Sequence, residues 1–211
     1  MAAPNGDSAV AAERDQVRSV MRYKGWHAGR GSLTAGSTAE LAWRRGSGAP
    51  DNDVVLAVRR LAAADLPAVT LIVGRLPDYF TSDVPGQVER DAVDHDGWVV
   101  TDSGEVAGFA VAARRSPGGA ENLWMAVDPA RRGRGLGTVL LERVLAELAA
   151  GGVSVVEAKT LDRSAGYQPY EATRAFWEHR GFIQVDTIDP LPGWQPGNPA
   201  AIYIAALRPT R

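Results

Sequence analysis

Cysteine is absent from the 211-residue chain, which excludes a disulfide frame, a thiolate-ligated zinc site and a thiol nucleophile. Histidine is scarce: His27, His95 and His179 stand far apart and give no metal-ligand spacing, so no metal is expected. Long apolar runs are missing too. The strongest, Val69-Thr-Leu-Ile-Val-Gly74, is too short to span a bilayer, and the N-terminus lacks the apolar core of a signal peptide. No membrane partner and a cytoplasmic address are therefore expected. The net charge of -2 leaves no basic excess for binding nucleic acid through bulk charge. Chemistry must come from carboxylates, tyrosines, backbone groups or a cofactor.

What is there suits one buried domain: 45% hydrophobic and 23% charged residues are ordinary for a globular chain. Residues 1–51 differ in kind, being rich in Ala, Gly, Ser and Arg without hydrophobic period. They read as a mostly disordered extension, mildly positive, with a basic docking arm kept open by Trp26 and Trp43. A folded domain over 52–211 follows. Residues 53–61 have strand character, and 63–76 are helical in period with Asp65 as cap. A more polar helix covers 82–95. Residues 97–102 and 105–114 flank the turn Ser103-Gly104 as a hairpin, and 121–128 form another strand. A strong amphipathic helix over 137–150 is stopped by Gly151-Gly152. Then come a buried-type strand (153–161), a short helix (169–180), and strands 182–188 and 201–207 around the Pro/Gly-rich stretch 189–200, long enough for a lid. The order is β-α-α-β-β-β-α-β-α-β-β.

Between the strand ending at Val127 and the helix lies Arg131-Arg-Gly-Arg-Gly-Leu-Gly137. Strand, glycine turn and helix start are a geometry for phosphate, because converging N–H groups and the helix dipole favour an anion and glycine removes the Cβ that would block its approach. Neither familiar nucleotide motif fits. The Lys-Ser/Thr pair of a P-loop is absent, and a Rossmann pattern begun at Gly133 would need glycine where Thr138 stands.

Arg132-x-x-Gly135-x-Gly137 resembles the acyl-CoA signature of the GNAT superfamily of N-acetyltransferases. The resemblance runs from Asp53 to the C-terminus, through the strand Glu121-Asn-Leu-Trp-Met-Ala-Val127, the helix after the motif, and Tyr170-Glu-Ala-Thr-Arg-Ala-Phe-Trp-Glu-His-Arg-Gly-Phe182. It implies an α/β (α+β) fold: a mixed, mostly antiparallel sheet of about six to seven strands flanked by about four helices. It also implies acetyl-CoA as acyl donor. Backbone groups from Arg132 through Gly133, Arg134, Gly135, Leu136 and Gly137 to Thr138 would hold the pyrophosphate. Met125, Ala126 and Val127 would pair with the pantetheine arm like an added strand, and the strands at 123–127 and 153–159 should splay apart to admit it.

Acyl transfer to an amine needs a base for the amine and a proton for the departing thiolate. Glu121 stands where several members of that superfamily carry a base. Strict alternation, however, places it on the face of Leu123, Met125 and Val127 unless a bulge intervenes. For the acid, Trp177 occupies the place of the usual tyrosine. Tyr170, two helical turns earlier, and Tyr167 are candidates, and solvent is an alternative. His179 reads as a surface residue. Tyr79, Phe80, Trp124 and Trp194 are the expected acceptor-pocket residues, with Asp189 and Asn198 as polar candidates. The resulting expectation is an acetyl-CoA-dependent N-acetyltransferase acting on a small primary amine by direct transfer. Protein lysine or N-terminal acetylation and a non-catalytic acyl-CoA sensor are the alternatives, and a homodimer is left open.

Overall fold

The computed structural model describes residues 41–43 and 56–207. Its elements are β1 (Leu41–Trp43), β2 (Leu56–Arg60), α1 (Leu66–Gly74), α2 (Val84–Asp94), β3 (Asp96–Asp102), β4 (Glu105–Ser116), β5 (Gly119–Val127), α3 (Leu136–Ala150), β6 (Val155–Leu161), α4 (Glu171–His179), β7 (Ile183–Ile188) and β8 (Ala200–Ala206). From β2 onward this is the expected order. The expectation for residues 1–51 lies outside the described residues except at β1, three residues too short to show a period, whose backbone extends the edge left open by β2.

One sheet runs β1-β2-β3-β4-β5-β6-β8-β7, antiparallel throughout except between β5 and β6, where α3 supplies the crossover that parallel strands require. Ser103 and Gly104 turn β3 into β4 with both φ angles positive, 53° and 86°, the geometry that matches strand twist. Asp65 stands at the N-cap position of α1, as expected, but its side chain makes no cap bond to the helix. Its carboxylate turns back to the Ala62 N–H (2.8 Å) and to Arg59, closing a 3-10 turn over Ala63–Asp65 that displaces the helix start to Leu66.

Helices cover both faces of the sheet. Leu136, Leu140, Leu141, Val144 and Leu148 of α3 pack with Trp177 of α4 against Val156, Ala158, Ala201 and Tyr203. Each of these large side chains contributes about 1.5–3 kcal/mol by leaving water. On the other face, Val69, Ile72 and Val73 of α1 and Val84 and Val88 of α2 meet Val99, Phe109, Val111 and Trp124. Trp177 is thus a core residue, its ring centroid 4.9 Å from that of Phe182.

Candidate active site

The parallel pair β5–β6 is short. Gly119 to Asn122 pair with Val155 to Ala158, and beyond that point β5 pairs only with β4 and β6 only with β8. The strands therefore part from Leu123 onward, as the resemblance implied for 123–127, although 155–158 of the other stretch stay paired with 119–122; the β5 edge at Leu123–Val127 is left without a strand partner on the β6 side.

A bulge lies at the same place. Consecutive residues Val111 and Ala112 of β4 face Trp124 and Asn122, so Leu123 is an extra residue in β5. This reverses the alternation below it. Ala120 joins the α3–α4 core, while Glu121 turns to the α1–α2 face with Trp124. Simple alternation had placed Glu121 with Met125 and Val127, and the bulge overturns that.

Around the fork is a cleft of about 380 Å³, part of it open to solvent, lined by Asp91, Glu121, Asn122, Leu123, Trp124, Lys159 and Trp194. Glu121 is buried and fully engaged: Oε2 accepts from Arg115 Nε (2.7 Å) and Nη2 (2.6 Å), and Oε1 from Lys159 Nζ (2.9 Å). Lys159 also meets Glu157 Oε1 at 2.8 Å. Burial works against its charge, but the two carboxylates outweigh burial and raise its pKa. Across the cleft, Trp124 Nε1 donates to Asp91 Oδ2 at 2.6 Å. Burial pushes the Asp91 carboxyl above its ordinary value, only partly offset by that hydrogen bond and by the charges of His95 and Arg90.

Of the expected acceptor residues, Trp124 and Trp194 line the cleft and Tyr79 and Phe80 do not. Phe80 is buried in the α1–α2 core, edge-on to Trp124 at 6.2 Å. Tyr79 donates its hydroxyl to the Pro169 carbonyl (2.8 Å), and its ring lies 5.1 Å from that of Tyr170. The loop 189–199 is packed down as a wall by Leu191 and Trp194, which meet Leu161 and Tyr170. Asn198 is buried and Asp189 accepts from the Gly197 N–H (3.1 Å), both outside the cleft lining. Tyr170 is buried and donates to the Tyr79 carbonyl (3.2 Å). Burial, with Tyr79 and Tyr167 beside it, raises its pKa and keeps it protonated. His179 is exposed.

The glycine loop closes the other end of the fork. Gly133 and Gly135 have φ of 76° and 81°, and Gly135 is the residue immediately before α3. The N–H groups of Leu136, Gly137 and Thr138 begin the helix and have no intrahelical acceptor; Val139 is the first to bond back, to the Gly135 carbonyl (3.1 Å). A Cβ on Gly137 would come 3.3 Å from Phe176, so the helix start sits tightly on α4. The loop's arginines are largely engaged by protein. Arg134 Nη1 meets Asp102 Oδ2 at 2.6 Å. Arg131 pairs with Glu105 and Asp102. Arg132 lies over the Tyr79 ring, 5.2 Å from its centroid. Thr138 Oγ1 accepts from Arg180. Arg132 and Arg134 nevertheless stay exposed beside the unbonded N–H groups of the helix start.

Sequence reasoning missed Asp91, Asn122 and Lys159. A lysine inside the buried-type strand 153–161 was a signal for the last. Asp91 had none, since it sits among other charges on a polar helix. Among the described residues no group of acidic or histidine side chains is arranged to hold a metal, and no helix is long and apolar enough to cross a membrane.

Comparison with known proteins adds the following. Residues 94–184 match the family model of the acetyltransferase (GNAT) domain. A GNAT-family protein from Desulfovibrio desulfuricans superposes with a TM-score of 0.64 at 23% identity, over 72% of this chain and 99% of that one. The ribosomal-protein-S18-alanine N-acetyltransferase from Escherichia coli gives 0.59 at 23% identity, over 74% and 96%. An aminoglycoside 6'-N-acetyltransferase complexed with coenzyme A gives 0.57 at 17%, over 73% and 98%. At these identities the structural likeness concerns the fold. No curated protein matches the chain.

Proposed function

From the premise that residues 94–184 are a GNAT acetyltransferase domain set in the fold of that superfamily, we propose that the protein transfers an acetyl group from acetyl-CoA to the primary amine of a small molecule. The observation that carries this reading is the fork: a strand edge without a β-partner leads from a helix start with unbonded N–H groups to a cleft lined by tryptophan and carboxylate.

The residues present fit acetyl-CoA. The N–H groups of Leu136, Gly137 and Thr138, at the positive end of α3, would hold the pyrophosphate, with Arg132 ordered on Tyr79 beside them. The backbone of Met125, Ala126 and Val127 would pair with the amide-bearing arm as a strand would. Two buried oxygens without partners, Asn122 Oδ1 and Thr160 Oγ1, flank the fork. Asn122 faces Ala158 and Thr160 faces Ala201, both residues of the α3–α4 core, so the orphaned atoms lie on the side of the sheet that the donor would occupy. A backbone N–H freed by the bulge at Leu123 is suited to polarise the thioester carbonyl.

The packed wall formed by Leu191 and Trp194 supports a small acceptor over a protein segment, since it leaves the amine a cleft and not an open groove. The acceptor would sit between Trp124 and Trp194, above the Glu121–Lys159 pair. Proton delivery to the thiolate is assigned to solvent, because the Tyr170 hydroxyl is bonded to a backbone carbonyl.

Thiol release from acetyl-CoA across a panel of small amines, with calorimetric binding of acetyl-CoA measured in parallel, tests the proposal. Binding with acceleration by at least one small amine is expected. Binding without acceleration by any amine would leave a sensor, and acceleration only by a protein or peptide would move the acceptor to a macromolecule.

A further inference from the structure

We propose that Asp91 of α2 is the carboxylate that receives the acceptor's ammonium group and takes its proton, while Glu121 acts as a strut of the cleft. This rests on the acetyl-transfer reading above. Two carboxylates line the cleft, and their surroundings differ in kind. Glu121 has both oxygens held by cations, Arg115 on one and Lys159 on the other. Asp91 is held by a neutral donor, Trp124 Nε1 at Oδ2, and among the described residues no cation pairs with it. Its negative charge is therefore the one in the cleft still open to a cationic ligand.

The environment of Asp91 points the same way. On its own stretch of chain stand Arg90, Asp94 and His95; Trp124 of β5 touches it, and Glu121 with its partner Lys159 shares the cleft. Burial raises its affinity for a proton above that of an ordinary aspartate. Trp124 fixes the carboxylate's orientation and uses one oxygen, leaving Oδ1 for the substrate.

In the step proposed, the ammonium gives one N–H proton to Asp91. The freed lone pair forms the N–C bond to the acetyl carbon, and the C–S bond breaks with its electron pair going to sulfur. The second proton lost from nitrogen passes to solvent, and solvent returns one to that sulfur. The products are the amide, the free thiol and a protonated Asp91, which returns its proton to solvent.

The test compares the best alkyl amine of the panel with a fluorinated analogue of the same skeleton that is unprotonated at the assay pH and needs neither counter-ion nor base. Asp91→Asn keeps an oxygen acceptor for Trp124, and its acetyl-CoA binding should stay within about threefold. Its kcat/KM for the alkyl amine should fall by about 10²–10⁴, the range of general-base catalysis, and for the analogue by less than about tenfold. Equal losses for both amines, or none, would overturn the proposal. Should Asp91→Asn fail to bind acetyl-CoA, Asp91→Glu decides: retained preference for the charged amine supports the assignment, and a lost preference refutes it. A wild type that binds acetyl-CoA yet acetylates no amine would sink the functional reading itself, and this one with it.

Discussion

Gly135→Val tests whether the loop before α3 works through its backbone or its charge. Gly135 has φ 81°, a left-handed conformation that costs an L-residue about 1–2 kcal/mol. For a β-branched side chain the conformation is a true outlier. The unliganded loop would relax out of this conformation, and binding would have to restore it. At 1.4 kcal/mol per decade, the dissociation constant for acetyl-CoA should rise about 5–30-fold. Gly135→Asn should recover most of the loss, since asparagine tolerates this region. Arg134→Ala is the counterpart. Its guanidinium is half-exposed and bonded to Asp102, which keeps Arg131 as a second partner. Removing such a surface pair changes about 0–1 kcal/mol, so affinity should move by no more than about fivefold. Calorimetry gives both constants, and thermal unfolding checks that each variant is folded. An Arg134→Ala loss larger than that of Gly135→Val would show that phosphate is held by charge, and the backbone account would be wrong.

Two further outcomes follow from buried polar groups. Burial opposes ionisation of Asp162, but hydrogen bonds from Ser164 N and Oγ, Gln184 Nε2 and Thr187 Oγ1 outweigh it and bring the pKa from 3.8 to about 2. The lowered value means that stability is present above about pH 4 and is lost as pH falls towards 2, by about 2 kcal/mol at 1.36 kcal/mol per unit. Asp162→Asn should lose about that much at pH 7 and show a flatter acid limb in urea unfolding; wild-type stability at pH 7 would contradict the bonding scheme. Tyr170→Phe removes a hydroxyl bonded to the Tyr79 carbonyl and should cost about 1 kcal/mol of stability, with turnover within a few-fold of wild type. A 100-fold fall in thiol release at unchanged melting temperature would instead make Tyr170 the acid.

Local rules carried far in this chain. The stripe Leu140, Val144, Leu148 announced α3 and its core face because helical period is a property of neighbours in sequence. Ser103-Gly104 announced its hairpin because only a turn with positive φ matches strand twist. Glycines between a strand and a helix marked the left-handed loop before α3 for the same kind of reason. Where sequence rules failed, a competing partner decided, close in the chain for Asp65 and distant for the aromatics. Asp65 looks like a cap for α1, yet Arg59 and the Ala62 N–H draw its carboxylate backward. Tyr79 and Phe80 look like pocket aromatics, yet Pro169, Tyr170 and Trp124 absorb them into packing.

By itself, then, the sequence determined the order of elements, the turn chemistry and the position of the glycine loop, all set by interactions within a few residues. Tertiary structure decided which side chains share the cleft. A single extra residue at Leu123 sends Glu121 to the other face of the sheet, where Arg115 and Lys159 neutralise it. Asp91, 33 residues from Trp124 along the chain, becomes the open carboxylate only because α2 packs on the sheet face that carries Trp124. One register shift and one long-range packing contact leave no periodic trace in the chain, and the proton chemistry proposed for the site rests on both.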